Sequence, residues 1–475
     1  MDKFYCDNLV IRDNSGRQRI FRGINICCKD SKISPKKFKK NYNIDKIKDK
    51  VLGSGVNIIR FGITWASIEP EEKHYNTELI AEHVRFVREC EKLGIYVILD
   101  MHQDLFTKGP KSGDGAPKWA LDKSIKLKRE FIIWAEGYFY MDSVQQAFND
   151  FWENRNGIQD KFIETWKYYS GCFSECGNII GFDWFNEPYV NKDGRKIFIG
   201  LMNNIFSITF KSKYDFLPCF HSGSDKAGII RAVFKMLKAI KSPENIKKLL
   251  EAMDKKENFD AAVSGLESHT DDFNKNYYEP FVKKLCKNIN DNSTMSLFEH
   301  NYFSNLGIPF KIDFRNNSIY SPHAYDIFVD SPLYNKYSSN GRITSILEHI
   351  RENQLNMNIP VIMGEWGGGS FGRQWIKHID YIMNIFEEYQ WSSIYWNYDK
   401  GRKKLMGVFD RPYPVAICGD IKKIKTNTKN RSFELVWEQD KKFENTSAKN
   451  LIFITGKGIT ELDGKTGLNE IKIEY

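Results

Sequence analysis

Two glutamates, Glu187 and Glu365, each follow an apolar run that is typical of a buried β-strand. The first run, residues 178–185, leads into an Asn-Glu-Pro sequence, and its proline ends the strand because it has no N–H to donate to a sheet. The second run, residues 359–364, leads into Glu365 and then a tryptophan and two glycines. We therefore expect both carboxyl groups at the carboxyl ends of core strands.

Two carboxyl groups in this setting are the minimum that retaining glycoside hydrolysis requires. One group protonates the leaving oxygen, and the other attacks the anomeric carbon from about 5 Å away. A general acid that works near neutral pH needs a desolvated position, which a strand end behind aromatic residues offers to Glu187. Either glutamate alone could instead cap a helix or pair with a surface lysine, but the presence of both with these neighbours favours catalysis.

The rest of the chain alternates strand-like and helical segments, which is the pattern of parallel βα units. The predicted strands are residues 20–25, 56–61, 95–101, 179–185, 295–299, 319–324, 360–365 and 391–397. Eight such strands are what a TIM barrel needs, and its catalytic face is formed by the carboxyl ends of the strands. The sequence thus predicts an α/β fold, with a (β/α)8 barrel over residues 1–410.

Polar or aromatic residues follow most of these predicted strands. They are Arg60, His102, Asp104, Asn186, Glu187, His323, Tyr325, Glu365, Trp396 and Asn397. Taken alone, His102 could be a satisfied core histidine, and Arg60 could form a structural ion pair at the barrel rim. A purely structural role explains the joint pattern poorly, so we predict that these side chains surround one active site.

Segments outside the barrel pattern are predicted at both ends of the chain. Residues 4–19 alternate weakly around an Asp-Asn-Ser-Gly turn, which indicates a hairpin that closes the bottom of the barrel. After Asp410, an Arg-Pro-Tyr-Pro sequence breaks the barrel pattern and short β-like runs follow. Residues 411–475 are therefore predicted to form a small antiparallel β-sandwich.

The connection after the fourth predicted strand is much longer than a usual βα loop. It spans about residues 191–275 and contains a basic amphipathic helix at residues 226–241. The simpler interpretation is a helix packed on the barrel. The alternative is a lid over the cleft that touches a membrane surface or a lipid tail.

The composition excludes several classes of protein. The net charge of +9 is spread along 475 residues, which indicates a solvated surface and only a weak attraction to anionic lipid. No basic stripe accompanies a nucleic-acid-binding motif, so nucleic acid is not an expected partner. The nine cysteines include no Cys-x-x-Cys pair and are expected to be reduced thiols rather than a disulfide framework.

The N-terminus enters a predicted strand without the apolar segment of a signal peptide, and no run approaches 18 apolar residues. We therefore expect an intracellular protein if Met1 is the native start, and a secreted or membrane-associated one if the sequence is trimmed. We also expect a monomer.

At the level of motifs, the sequence resembles glycoside hydrolase family five and, within it, the endoglycoceramidases. The general family marks are Arg60, Asn186, Glu187, His323, Tyr325, Glu365 and Trp396. The subgroup marks are residues 101–104 (Met-His-Gln-Asp) with 115–119, Phe298-Glu299 with 303–305, and 409–414 with Gly419. This ordered set spans nearly the whole chain.

The resemblance implies a retaining mechanism, with Glu187 as the acid/base and Glu365 as the nucleophile. It implies that Asn186 binds the sugar 2-hydroxyl, and that Tyr325 and Arg60 support Glu365, whose ionised form the arginine favours. The resemblance also places His102, Asp104, Trp396 and Lys29 at the first sugar site, with an apolar groove for lipid tails on the aglycone side. No metal or other cofactor is expected.

The leading hypothesis is hydrolysis of the β-glycosidic bond between the glycan and ceramide of a glycosphingolipid. The alternative is a β-glucosidase that acts on glucosylceramide, galactosylceramide or a steryl glucoside, because related subgroups keep the same catalytic residues. A polysaccharide endoglucanase fits less well, since an open glycan cleft would not need the amphipathic insertion. A catalytically inactive lipid- or glycan-binding protein on the same barrel is disfavoured because both glutamates and their partners are present.

Overall fold

The computed structural model describes the chain except residues 47, 109–112, 124, 126–136, 191–193, 217–225, 290–293, 314–316, 330, 370–371, 399–406 and 408. The strands of the described part are β1 (Phe4–Asp7), β2 (Val10–Asp13), β3 (Gln18–Arg19), β4 (Arg22–Cys28), β5 (Ile58–Ile63), β6 (Tyr96–Met101), β7 (Ile179–Asp183), β8 (Met295–Phe298), β9 (Ser318–Tyr320), β10 (His323–Ala324), β11 (Ile362–Gly367), β12 (Ser392–Trp396), β13 (Tyr413–Ile417), β14 (Gly419–Asn427), β15 (Ser432–Gln439), β16 (Asn450–Ile454), β17 (Gly458–Leu462) and β18 (Gly467–Glu474).

The α-helices of the described part are α1 (Pro35–Asn41), α2 (Lys48–Gly53), α3 (Trp65–Ile68), α4 (Thr77–Lys92), α5 (Gly137–Tyr140), α6 (Asp142–Trp152), α7 (Ile158–Gly171), α8 (Gly194–Phe210), α9 (Lys226–Ala239), α10 (Pro243–Met253), α11 (Lys256–Val263), α12 (Asp271–Phe273), α13 (Glu279–Ile289), α14 (Tyr334–Tyr337), α15 (Asn340–Met357) and α16 (Gln374–Tyr389). None of these helices is both long enough and apolar enough to cross a lipid bilayer.

The predicted barrel is confirmed. Its strands pair in parallel in the order β10-β11-β12-β4-β5-β6-β7-β8-β9, and a bridge between Tyr320 and Val361 joins the two ends of the sheet. Every predicted barrel strand overlaps an observed one, and the sixth is divided into β9 and β10. The division falls at Pro322, which cannot donate to the sheet, while the Pro322 carbonyl accepts a hydrogen bond from Gly364 (3.0 Å).

The lower end of the barrel is filled by apolar side chains of β5–β9, β11 and β12, together with Phe21 just before β4. Phe4 and Ile11 from the β1–β2 hairpin join this cluster, so the hairpin closes the bottom of the barrel as expected from the sequence. The same hairpin has a second role, because β2 pairs with β3 and β3 pairs with β13. One wall of the C-terminal sandwich is thus the sheet β1-β2-β3-β13-β16-β17, and residues 411–475 do not build it alone.

The other wall of the sandwich is the antiparallel sheet β14-β15-β18. Its alternating strands place Ile421, Phe433, Leu435 and Trp437 in a core that is separate from the barrel interior. The described cysteines are free thiols, in agreement with the prediction of a reduced protein.

A helical insertion, defined here as α8–α12, separates β7 from β8, and α13 then leads into β8 as a barrel helix. Within it, α9 carries two apolar stripes rather than the single face predicted. Ile229, Ala232 and Met236 are buried, whereas Phe234 is 69% exposed and Leu237 is 53% exposed. The periodicity of the sequence predicted the position of the helix correctly. Whether each of its apolar stripes is buried depends on which other elements of the fold pack against that stripe.

Candidate active site

Arg60, on β5, is fully buried at the centre of the polar face of the barrel. Its guanidinium lies 2.6 Å from Glu365 Oε1, 2.8 Å from Asp183 Oδ2, 2.8 Å from Asp100 Oδ1 and 2.9 Å from Glu299 Oε1. Burial alone would lower the pKa of Arg60, but attraction to the four carboxylates outweighs it and raises the pKa well above the usual range. A permanent positive charge therefore lies beneath the site.

Glu365, on β11, is oriented by two donors. Its Oε1 accepts a hydrogen bond from Arg60, and its Oε2 accepts one from the Tyr325 hydroxyl at 3.0 Å. The structure thus brings together the three side chains that the sequence associated with the nucleophile. A carboxylate that accepts hydrogen bonds from a guanidinium and a phenol is fixed in direction, which is what an attacking group needs.

Glu187 follows β7 and has a left-handed backbone, with φ of +44°. This conformation is unfavourable for a residue with a side chain and is held here by hydrogen bonds. Its N–H donates to Glu299 Oε2 (2.7 Å), and its carbonyl accepts from Gln103 Nε2 (3.2 Å). Its Oε1 accepts from Asn305 Nδ2 (2.9 Å) and contacts His323 Nδ1 (3.1 Å).

His323 lies between the two glutamates. A carboxylate oxygen of Glu187, a ring nitrogen of His323 and a carboxylate oxygen of Glu365 all lie within 4.8 Å of one another. Burial alone would lower the pKa of His323, but the charges of Glu299 and Glu365 outweigh it and raise the pKa well above the usual range. Carboxylates about 5 Å apart suit a covalent, retaining displacement, whereas an inverting site needs room for a water molecule between them.

Asn186 precedes Glu187 and has an amide group of fixed orientation. Its Oδ1 accepts from Arg60 (3.0 Å), and its Nδ2 donates to the carbonyl of Gln103 (3.0 Å). The amide therefore lies against Arg60 and beside both glutamates.

A second group of predicted residues forms one end of the site. The ring of His102 stacks on Trp396 with centroids 5.5 Å apart, and its Nδ1 contacts Asp100 Oδ2 at 3.0 Å. Lys29 forms an ion pair with Asp104, and its Nζ lies 4.9 Å from the centre of the Trp396 ring. The cation holds the pKa of the buried Asp104 carboxyl well below its usual range, against the effect of burial.

Several residues of the site were missed by sequence reasoning. They are Asp100, Asp114, Asp183 and His300. Gln103, Glu299 and Asn305 were named from the sequence only as subgroup marks of the resemblance, without a role at the site. A signal existed for Asp100 and Asp183, because each interrupts an otherwise apolar strand and a buried carboxylate requires a partner. Burial, and next the neighbouring Asp104, raises the pKa of Asp114 to about 7.

Carboxylate clusters of this kind can also bind metal ions, and three such groups occur in the described part of the chain. In two of them a protein cation is already present, since Arg60 contacts Asp100, Asp183 and Glu299, and Lys29 contacts Asp104. The third contains the cationic His323. Each of the three donor sets thus already contains or contacts a cation that the chain itself supplies.

An aromatic wall of tyrosines lies near Glu187 and Asp104. Tyr138 stacks on Tyr189 with centroids 4.8 Å apart and contacts Tyr302 at 4.5 Å. Burial and then the charges of Asp104 and Glu187 raise the pKa of Tyr138, which places its hydroxyl near both carboxylates. Helix α9 packs against α5, the helix that carries Tyr138, so the wall continues into the insertion.

Comparison with known proteins identifies a family. A family model described as cellulase (glycosyl hydrolase family 5) matches residues 13–211 and 264–402. An endoglycoceramidase from Hydra vulgaris is 30% identical over 209 residues, which are 38% of this chain and 39% of that protein. The alignment thus spans less than half the length of that relative.

Solved structures share the fold over almost the full chain. The complex of endo-glycoceramidase II from Rhodococcus sp. with ganglioside GM3 superposes with a TM-score of 0.67 at 17% identity, covering 98% of this chain and 99% of that one. Sterylglucosidase 1 from Cryptococcus neoformans superposes with a TM-score of 0.63 at 15% identity, covering 99% and 97%. These likenesses establish the barrel and the sandwich together.

Proposed function

The chain belongs to glycosyl hydrolase family 5, and from that premise we propose that it is a retaining β-glycosidase that cleaves the bond between the glycan and ceramide of a glycosphingolipid. The observation that carries the proposal is the pair Glu187 and Glu365, which have carboxylate oxygens within 4.8 Å of each other. Both groups come from strand ends on the face where barrel enzymes perform their chemistry.

In the first step, Glu365 attacks the anomeric carbon while Glu187 protonates the oxygen of the departing ceramide. Arg60 and Tyr325 hold the two oxygens of Glu365, so the attacking group is oriented before substrate arrives. The bond from Glu365 to the sugar forms as the glycosidic bond breaks, and the ceramide leaves as a neutral alcohol.

In the second step, Glu187 acts as a base. It removes a proton from water, which attacks the anomeric carbon and releases Glu365. The cationic His323 contacts Glu187 and lies 3.7 Å from Glu365 Oε2, so it stabilises the negative charge that returns to Glu365 as its bond to the sugar breaks. Asn186 is assigned to the sugar 2-hydroxyl, next to the anomeric carbon.

The first sugar is assigned to the end formed by Lys29, His102, Asp104 and Trp396. Trp396 supplies an aromatic face for the apolar side of the ring, and the Lys29–Asp104 pair supplies a donor and an acceptor for neighbouring hydroxyls. The stacked His102 holds Trp396 in place. These groups are suited to a neutral hexose.

The aglycone is assigned to the aromatic wall and the insertion. Tyr302 contacts Tyr138 and Phe139 in an aromatic cluster near Glu187, and we assign the ceramide to this part of the site. Helix α9 packs against α5, and its exposed stripe carries Phe234 and Leu237. We propose that this stripe, flanked by lysines, rests on the membrane from which a monomeric enzyme takes its substrate.

A second candidate is a β-glucosidase for glucosylceramide, galactosylceramide or a steryl glucoside. It is favoured by the likeness to a sterylglucosidase, which matches over almost the same extent as the likeness to endo-glycoceramidase II. The two candidates share the chemistry of Glu187 and Glu365 and differ in the number of sugars that the site admits.

Product analysis on a panel of lipids tests the proposal. The panel contains lactosylceramide, a ganglioside, glucosylceramide, galactosylceramide and a steryl glucoside, each with wild type and with Glu365→Ala. Release of intact oligosaccharide and ceramide by wild type alone supports the proposal. Cleavage restricted to single-sugar lipids would replace it with the second candidate, and no cleavage of any lipid would overturn both.

A further inference from the structure

A chain of buried hydrogen bonds leads from a backbone amide to Glu187. Its side chains are Asn353, Tyr320, His300 and Asn305, and all of them are buried. This series of hydrogen bonds begins outside the residues assigned to substrate. It runs from α15 through β9 to the segment after β8. Because each link has a donor and an acceptor, the direction of the whole chain can be worked out from its fixed end.

The fixed end is the N–H of Phe310, which can only donate. It donates to Asn353 Oδ1 (3.1 Å), so the amide of Asn353 must present its Nδ2 to the Tyr320 hydroxyl (3.3 Å). The Tyr320 oxygen accepts this bond, and its single proton is left for His300 Nδ1, 2.8 Å away. His300 Nδ1 is therefore an acceptor.

The second half of the chain follows from the tautomer of His300. Its proton lies on Nε2, which contacts two acceptors, Asn305 Oδ1 at 2.6 Å and the His323 carbonyl at 3.1 Å. The carbonyl gives independent support, since it can only accept. Burial, and then the charge of His323, lowers the pKa of His300 to about 3, in keeping with a neutral ring that carries one proton.

The orientation of Asn305 is the consequence. With its Oδ1 bound to His300, Asn305 turns Nδ2 toward Glu187 Oε1 (2.9 Å), where the cationic His323 also lies at 3.1 Å. Two donors on Oε1 leave no place for a proton on that oxygen. No residue in the described part of the chain hydrogen-bonds to Oε2, which is thus the oxygen left to carry the acid proton.

We propose that His300 is a positioning residue that, through Asn305, confines the transferable proton of Glu187 to the single carboxyl oxygen available to substrate. This inference rests on the proposed role of Glu187 as acid/base. A reversed Asn305 amide would offer Oδ1 to Oε1, which would favour a proton on the oxygen that cannot deliver it.

The test compares leaving groups, because an activated leaving group departs without protonation. Wild type, His300→Leu and His300→Gln are assayed with phenyl β-lactoside and with 2,4-dinitrophenyl β-lactoside. His300→Leu removes the Nε2 donor at similar volume and should lower kcat/KM for the phenyl glycoside about ten- to hundredfold. It should change the dinitrophenyl value less than about threefold, since only acid catalysis is impaired. His300→Gln restores an N–H near the same position and should recover most of the loss.

An equal loss on both substrates would mean a general structural defect and would overturn the proposal, as would full activity of His300→Leu on the phenyl glycoside. If His300→Leu does not fold, Asn305→Asp tests the same point at constant shape, because it replaces Nδ2 by an oxygen facing Glu187. That variant should show the same selectivity for the activated substrate.

Glu187→Gln separates the positioning role of His300 from the proposed role of Glu187 as the acid. If Glu187→Gln shows strong selectivity for the dinitrophenyl substrate and the His300 and Asn305 variants do not, only the positioning role fails. If Glu187→Gln itself loses no activity on the phenyl glycoside, the assignment of Glu187 as the acid fails first.

Discussion

The barrel rim and the helical insertion differ in how they place charged and apolar side chains. At the rim, Arg60 and Glu365 are 0% and 4% exposed, and each is held by hydrogen bonds from several strands. On α9 of the insertion, Phe234 is 69% exposed and its apolar ring faces outward. One region buries charge, and the other exposes apolar surface.

This difference indicates that the two regions are suited to different tasks. Buried charges are retained only where partners compensate them, so the rim has one stable arrangement and can orient reacting groups. An exposed apolar stripe gains free energy only when another surface covers it, so α9 is suited to contact with lipid. We expect changes at the rim to affect every substrate, and changes on α9 to affect only substrates presented in a membrane.

The largest expected effect is that of Glu365→Ala. Removal of a nucleophile that acts together with its partners lowers kcat by roughly 10⁴-fold or more. The loss should be equal for lactosylceramide in vesicles and for a soluble aryl lactoside, because both react at the same carbon. Thermal unfolding should change little, since Glu365 leaves no buried donor except Arg60, which keeps three other carboxylates. A variant that remained active on either substrate would remove Glu365 from the mechanism.

Arg60→Met should have the next largest effect, and on stability as well as activity. The methionine preserves most of the volume but leaves Asp100, Asp183, Glu299 and Glu365 buried without their cation. Breaking a buried ion pair in this way costs about 3–5 kcal/mol. Urea unfolding at pH 7 measures the decrease in the free energy of unfolding. A decrease below about 1 kcal/mol would mean that the rim is not held together by charge compensation.

Asp114→Asn should have a smaller effect that depends on pH. Burial and the neighbouring Asp104 raise the pKa of Asp114 from its ordinary value of 3.8 to about 7. A raised carboxyl pKa contributes stability below pH 3.8 that is lost as pH rises to 7. Asparagine cannot ionise, so the variant should become more stable relative to wild type as pH rises from 4 to 8. The free energies of unfolding of wild type and variant, measured at both pH values, give the difference. An equal pH dependence of the two proteins would contradict the raised pKa of Asp114.

The same contrast explains which parts of the site could be predicted from the sequence. Arg60, Glu187 and Glu365 were predicted because strand periodicity locates strand ends, and the fold brings those ends to one face. The roles proposed for them were assigned from the motifs of a known family. The carboxylates Asp100 and Asp183 could have been predicted as partners of a buried cation, since each interrupts an apolar strand.

Other features depend on contacts that no local pattern encodes. Asn305 lies in a short turn at residues 302–306 and reaches Glu187 across 118 positions of sequence. The β1–β2 hairpin joins the sheet of the C-terminal sandwich because the chain ends meet below the barrel. One α9 stripe is buried and the other exposed because of the position of α5, and the periodicity of the α9 sequence does not predict that position.

The smallest expected effect, and the one that most directly separates the two regions, is that of Phe234→Asp. An aspartate on the exposed stripe removes the apolar contact and adds repulsion from anionic lipid, so hydrolysis of lactosylceramide in anionic vesicles should fall about tenfold. Hydrolysis of a soluble aryl lactoside should stay within about twofold of wild type, because Phe234 is 69% exposed and exposed sites tolerate substitution. Leu468→Asp is the matched control, since Leu468 is also 69% exposed but lies on β18 of the sandwich. If Leu468→Asp lowers vesicle hydrolysis as much as Phe234→Asp, the sandwich shares the membrane surface and the insertion has no special role. If Phe234→Asp lowers both activities equally, α9 supports the rim, and the division between buried charge and exposed apolar surface does not hold.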